Sequence, residues 1–224
     1  MPATISKSVT VFLKDFRSEI RTRYALNALL MFVVTTLSVV LFSIGNETAS
    51  PEILSGVLWI IVFFSTMSGL SRTFITEEER GTVMTLQLLA RPLVVYLGKL
   101  LFNVILLAAL NVFTVTLYLI FIANFVVQNY TIFVVTFILG TLGLASASTI
   151  IAAIISKANT KGTLYPVLSF PVLLPLLLTV INATKMAVDG APLAEALSEF
   201  QVLVSYFVVV SVVSYFLFDV VWKE

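Results

Sequence analysis

Residues 72–92 read RTFITEEERGTVMTLQLLARP. Three carboxylates (Glu77, Glu78, Glu79) and three guanidinium groups (Arg72, Arg80, Arg91) crowd into this segment, and long apolar runs flank it on both sides. The rest of the chain makes the segment conspicuous. Of 224 residues, 59% are hydrophobic and 11% charged, with mean hydropathy +1.08. A soluble domain carries about 25% charged residues. The composition is that of an integral membrane protein, with a single domain over 1–224 the natural count. The charged segment is then where the chain leaves the bilayer between two spans.

Six apolar runs are long enough to cross a bilayer, which takes about 20 helical residues. They lie at about 24–44, 54–70, 93–123, 131–156, 163–183 and 200–222. They are continuously apolar and do not alternate, which points to helices and against a β-barrel. The third run is too long for an untilted span, so it tilts or projects beyond the bilayer. With six spans both termini share a side. Twelve of the thirteen basic residues fall there, and only Lys185 falls on the other. By the positive-inside rule both termini are expected in the cytoplasm.

No cleavable leader is read at the start, so the first span is expected to stay in the membrane. Val9, Phe12, Phe16 and Ile20 recur at helical spacing, with Lys7, Lys14, Arg17, Arg21 and Arg23 mostly off that face. Residues 1–23 read as an amphipathic helix in the cytoplasmic interface, facing anionic headgroups. The alternative is an extension packed on the bundle. The outer loops are short, and the largest is expected at 184–199, with a short surface helix after Pro192.

The chain has no cysteine and no histidine. Thiolate nucleophiles, imidazole bases and imidazole metal ligands are therefore absent. The spans are almost free of ionisable groups. Lys99 and Asp219 lie near span ends, where they are expected to snorkel. This argues against an ion-coupled carrier and against an intramembrane hydrolase. The near-neutral balance, +1, gives no sign of nucleic-acid binding.

Asn103, Asn111, Thr114, Thr116, Ser146, Ser148 and Thr149 read as interhelical hydrogen-bonding groups, with lining of a substrate path the alternative. Gly140, Gly143, Ala145 and Ala147 suit close helix packing. Pro166, Pro171 and Pro175 are expected to kink or break the fifth span, as a static bend or as a hinge.

Within the charged segment, Thr76 followed by Glu79 is a capping-box pattern, with Glu77 and Glu78 in a first turn that favours negative charge. Gly81 weakens the helix, Thr82 is a second candidate cap, and Pro92 marks the end. The leucines give one apolar face. The segment reads as a short cytoplasmic helix presented to a partner, with a solvated re-entry loop the alternative.

The stretch 77–92 resembles the coupling-helix region of six-span ABC exporter permeases of the ABC-2 or type V kind. Gly56-Val-Leu-Trp-Ile, Leu139-Gly-Thr-Leu-Gly-Leu, Lys161-Gly and Leu168-Ser-Phe-Pro-Val-Leu-Leu-Pro-Leu-Leu narrow the resemblance, over roughly residues 10–220, to the CcmB family, haem exporter protein B of cytochrome c maturation. The resemblance implies a permease subunit in the bacterial inner membrane, with no catalytic residues and no cofactor of its own. ATP–Mg would bind in a CcmA-like ATPase partner on the cytoplasmic face. CcmC-like and CcmD-like proteins would be membrane partners, and a homodimer is also allowed. ATP hydrolysis would promote release of a haem-loaded CcmE-like chaperone, with haem handled by the complex.

On this resemblance Thr76, Glu77, Glu78, Glu79, Arg80, Gly81, Thr82, Met84, Leu86 and Leu89 form the partner-binding helix, the three glutamates meeting basic groups of the ATPase. Lys157 and Lys161 make a second cytoplasmic contact. Two other functions remain open: an ABC-2 permease for another substrate, and a non-transporting scaffold.

Overall fold

A computed structural model describes residues 2–44, 49–157 and 161–223, and all regular structure among them is helical. The elements are α1 (Pro2–Thr22), α2 (Tyr24–Ile44), α3 (Pro51–Leu70), α4 (Ile75–Glu79), α5 (Val83–Leu89), α6 (Pro92–Phe121), α7 (Tyr130–Ser156), α8 (Lys161–Val188) and α9 (Leu193–Lys223). Six of them are long and apolar enough to cross a membrane: α2, α3, α6, α7, α8 and α9. Helices follow from the apolar runs, because a backbone in hydrocarbon must satisfy its hydrogen bonds internally.

α7 is the axis of the bundle and packs against α3, α6, α8 and α9. Its small residues make this geometrically feasible. A Cβ on Gly140 would come within 2.5 Å of the Trp59 ring, and one on Gly143 within 2.8 Å of Leu176. The indole fills the notch over Gly140, stacks on Phe137 at 4.8 Å and donates to Thr184 Oγ1 at 2.8 Å. Other polar groups in the spans also bond between helices. Asn103 Nδ2 donates to Thr149 Oγ1, Asn111 Nδ2 donates to Thr141 Oγ1, and Ser146 and Ser211 share a bond. Thr114 and Thr116 instead donate to carbonyls of their own helix. α2 and α9 are mostly uncovered, as lipid-facing helices are, with Phe42 86% and Phe216 67% exposed.

Two expectations need correction. α8 is not broken by its prolines: it runs continuously through all three positions. Near them, Thr179 Oγ1 donates to the Pro175 carbonyl and Tyr206 Oη to the Val172 carbonyl. The Pro166 side chain lies outside the described residues. The outer loop is also shorter than read. α8 extends to Val188 and α9 starts at Leu193, so residues expected to form a surface helix are the first turns of α9. The Ala187 carbonyl accepts from Gln128 N and Asn129 N at 3.1 and 2.9 Å, and Lys185 pairs with Glu52. These bonds hold that end of the bundle together.

At the opposite end, which carries both termini, α1 turns into α2 at Arg23, whose φ is +52°. The Glu19 carboxylate accepts from Leu26 N and stabilises the start of α2. α1 lies closely against α6. The contact depends on Gly98, because a Cβ there would sit 2.7 Å from Val11 Cβ and 2.8 Å from the Ser8 carbonyl oxygen.

Candidate functional site

The charged segment forms two short helices. α4 and α5 are separated at Arg80–Gly81–Thr82, where Gly81 adopts φ +66°, a backbone region that costs a side-chain-bearing residue more than glycine. The expected capping box is absent. Thr76 lies inside α4, and its Oγ1 donates back to the Arg72 carbonyl. Thr82 precedes α5 but makes no side-chain cap. Its hydroxyl donates to Glu77 Oε2 instead, tying the second helix to the first.

Glu77 is the centre of the site. It is 6% exposed, because α4 turns it inward toward α6 and α1. Lys99 Nζ donates to Glu77 Oε1 at 2.9 Å and to the Thr73 carbonyl at 3.0 Å, and stands 3.0 Å from Asp15 Oδ2. Lys14, on the rim, pairs with both Glu77 and Asp15. Two lysines and two carboxylates from α1, α4 and α6 thus form a compact, charge-balanced knot. Burial alone would raise the Glu77 carboxyl; the Lys99 ammonium beside it, with hydrogen bonds from Lys14, Thr82 and Lys99, holds it at about 2. For Lys14, burial acts downward, but the hydrogen bond it donates to Glu77 and the nearby carboxylates outweigh it and leave the ammonium above its ordinary range.

Lys99 therefore does not snorkel. It is 3% exposed, hydrogen-bonded to Glu77 and the Thr73 carbonyl and ion-paired with Asp15. Nor do the three glutamates present a free acidic face. Glu77 is buried, Glu78 lies 3.5 Å from Lys157, and Glu79 pairs with Arg72 at 2.8 Å. The expected second contact, Lys157, faces the segment itself. The side chain of Lys161 and residues 158–160 lie outside the described residues.

Further ties join the segment to α9. Gln87 Nε2 donates to the Trp222 carbonyl at 2.6 Å. Phe74 packs against Phe218 and Trp222 at 5.6 and 6.1 Å between ring centroids. The segment is thereby anchored to α1, α6, α7 and α9.

Alongside the exposed polar side chains of Glu79, Arg80, Thr85 and Gln87, the segment turns large apolar groups outward. Val83 and Leu86 pack toward the core, whereas Met84, Leu88 and Leu89 are 74%, 82% and 73% exposed. Met84 and Leu88 are four apart on α5 and share a face. Leu88, Asp15 and Gly98 are site residues that the sequence reading passed over. Among the described residues no cluster of three or more His, Cys, Asp or Glu side chains is placed to hold a metal. The arrangement is an apolar tip, Met84 and Leu88, on a segment tied to its neighbours by ion pairs and hydrogen bonds.

A family model described as CcmB protein matches residues 6–221. No curated protein matches the chain.

Proposed function

The chain belongs to the CcmB family, a membrane component of the haem-exporting ABC system of cytochrome c maturation, and from that premise we propose that it couples a partner ATPase to the membrane bundle through α4 and α5. The observation that carries this reading is the combination of an exposed apolar tip, Met84 and Leu88, with an anchored base. A partner groove that accepts Met84 and Leu88 removes two large apolar side chains from water, about 1.5–3 kcal/mol for each fully buried. The glutamates do not dock; they hold the tip in place.

Movement of the ATPase is passed on by the same anchors. The Glu77–Lys99 pair carries it to α6, Glu78–Lys157 to α7, and Gln87 with Phe74 to α9. Asp15 and Lys14 bring α1 along. The apolar stripe of α1, with Val9, Leu13, Phe16 and Ile20 all exposed, lies in the cytoplasmic interface, next to Lys7, Arg17 and Arg21. In this topology both termini are cytoplasmic and the membrane is the bacterial inner membrane. Haem is cargo of the assembled complex, and this chain brings neither imidazole nor thiolate to its iron. CcmC-like and CcmD-like proteins and a CcmE-like chaperone complete the assembly.

Capture of a tagged CcmA-like ATPase by Met84→Asp and Leu88→Asp chains tests the reading. Loss of capture with normal membrane insertion is expected. Undiminished capture by both variants refutes it. ATPase turnover in the assembled complex that is indifferent to Glu77→Gln would favour a passive scaffold over a coupling subunit.

A further inference from the structure

Between α1 and the α4–α5 segment lies a cleft of about 800 Å³, walled below by α2 and α6. That volume is in the range of small-molecule sites. Its lining changes character with depth. Lys99, Phe102 and Leu106 all line it from α6; at 1.5 Å rise per residue they span about 10 Å, from the charged knot into hydrocarbon. Ala28 and Leu29 add to the apolar floor, and Arg72, Glu79 and Arg80 lie at the rim. A charged mouth over an apolar floor is the profile of an amphiphile seated at a membrane surface.

The rim specifies the headgroup. The charged residues lining the cleft are four basic (Lys14, Arg72, Arg80, Lys99) and four acidic (Asp15, Glu19, Glu77, Glu79), so the mouth is balanced and does not call for an anion. Lys14 and Lys99 are committed to Asp15 and Glu77. Arg80 is not: the one side-chain hydrogen bond it makes among the described residues is to Ser18 Oγ at 3.5 Å. Arg72 is tied to Glu79, but both side chains are more than half exposed, 62% and 54%, and such pairs exchange readily. Guanidinium groups bind phosphate oxygens through paired N–H donors.

We propose that the cleft holds a zwitterionic aminophospholipid of the bilayer leaflet on this side. Its phosphate bridges Arg80 and Arg72, the ammonium takes up the Glu79 carboxylate that Arg72 releases, and an acyl chain runs down past Phe102 and Leu106. A headgroup that engages both arginines and brings no cation of its own would leave Glu79 unpaired. The acyl floor selects a lipid over free phosphate. The lipid would lie between α1 and the α4–α5 segment and touch both, so the bilayer would contribute to their spacing.

The test is native mass spectrometry of the full chain released from nanodiscs containing equal phosphatidylethanolamine and phosphatidylglycerol. It requires no ATPase, so it succeeds or fails independently of the coupling role. The expected result is one retained phosphatidylethanolamine in preference to phosphatidylglycerol. Arg80→Ala should lower its occupancy by about tenfold, the loss of one charge-assisted contact. Ala28→Phe, at an exposed floor position, should displace the lipid while leaving thermal unfolding unchanged. Inorganic phosphate at millimolar concentration should not compete. Equal retention by wild type and both variants, preference for phosphatidylglycerol, or displacement by inorganic phosphate would each overturn the proposal.

Discussion

Replacing Lys99 with methionine removes one ammonium and nearly preserves side-chain length. In the folded chain that ammonium touches Glu77 Oε1 at 2.9 Å, Asp15 Oδ2 at 3.0 Å and the Thr73 carbonyl at 3.0 Å, with the lysine side chain 4% exposed. Its loss leaves two carboxylates facing each other with Lys14 alone to serve both. Removing one partner from a buried ion pair costs about 3–5 kcal/mol. Lys14 is half-exposed and can turn further toward Glu77, which places the expected value toward the lower end, about 3 kcal/mol. Adding Glu77→Gln should recover part of the loss, since the stranded charge is gone; a double-mutant cycle should return a coupling of about 1–3 kcal/mol. Unfolding in mixed micelles titrated with SDS gives the stability of each variant, and spin labels on α1 and α5 report whether the segment has swung away from α6. A Lys99→Met chain with wild-type stability and unchanged label distances would refute the view that this knot holds the segment.

Gly98→Ala should lever α1 off α6, because the new methyl meets the Ser8 carbonyl as well as Val11; about 1–3 kcal/mol of overpacking should appear as faster proteolysis within residues 2–22. The Glu77 carboxyl is held at about 2, below its ordinary 4.5. A depressed value in the folded state means that its stabilisation is full above 4.5 and is lost as pH falls toward 2. The α1–α5 label distance should therefore be unchanged between pH 7 and pH 5 and should increase near pH 3; an increase already complete at pH 5 would contradict the knot.

Six spans were legible because each is an unbroken apolar run of bilayer length, and no soluble fold needs that pattern. The charged segment was legible as a helical insert because nothing else in the chain concentrates charge. Its orientation was not. Three adjacent glutamates look like one acidic patch, but helix geometry sends Glu77, Glu78 and Glu79 in three directions, toward Lys99, Lys157 and Arg72. Lys99 near a span end suggests snorkelling, and only the fold brings Asp15 from the far N-terminal helix to meet it. Gly98 beside it was a usable signal, since a glycine next to a lysine in a long apolar helix marks a close approach by another element. Gly81 did signal a weakening, but its left-handed backbone resets the helix and so decides which leucines face out. Leu86 was read as a docking residue and turns inward, whereas Leu88, one i, i+4 step from Met84, faces out. The prolines do not end the helix, which runs on through all three positions.

The central claim is that α5 meets the ATPase with apolar side chains while the glutamates only position it. The direct measurement is the affinity of the purified ATPase for nanodisc-embedded chains carrying either Leu88→Asp or Glu79→Lys. Leu88→Asp should weaken binding by tenfold or more, the loss of one well-buried leucine or greater, and Glu79→Lys should change it less than threefold. Strong weakening by Glu79→Lys with Leu88→Asp near wild type would contradict the account.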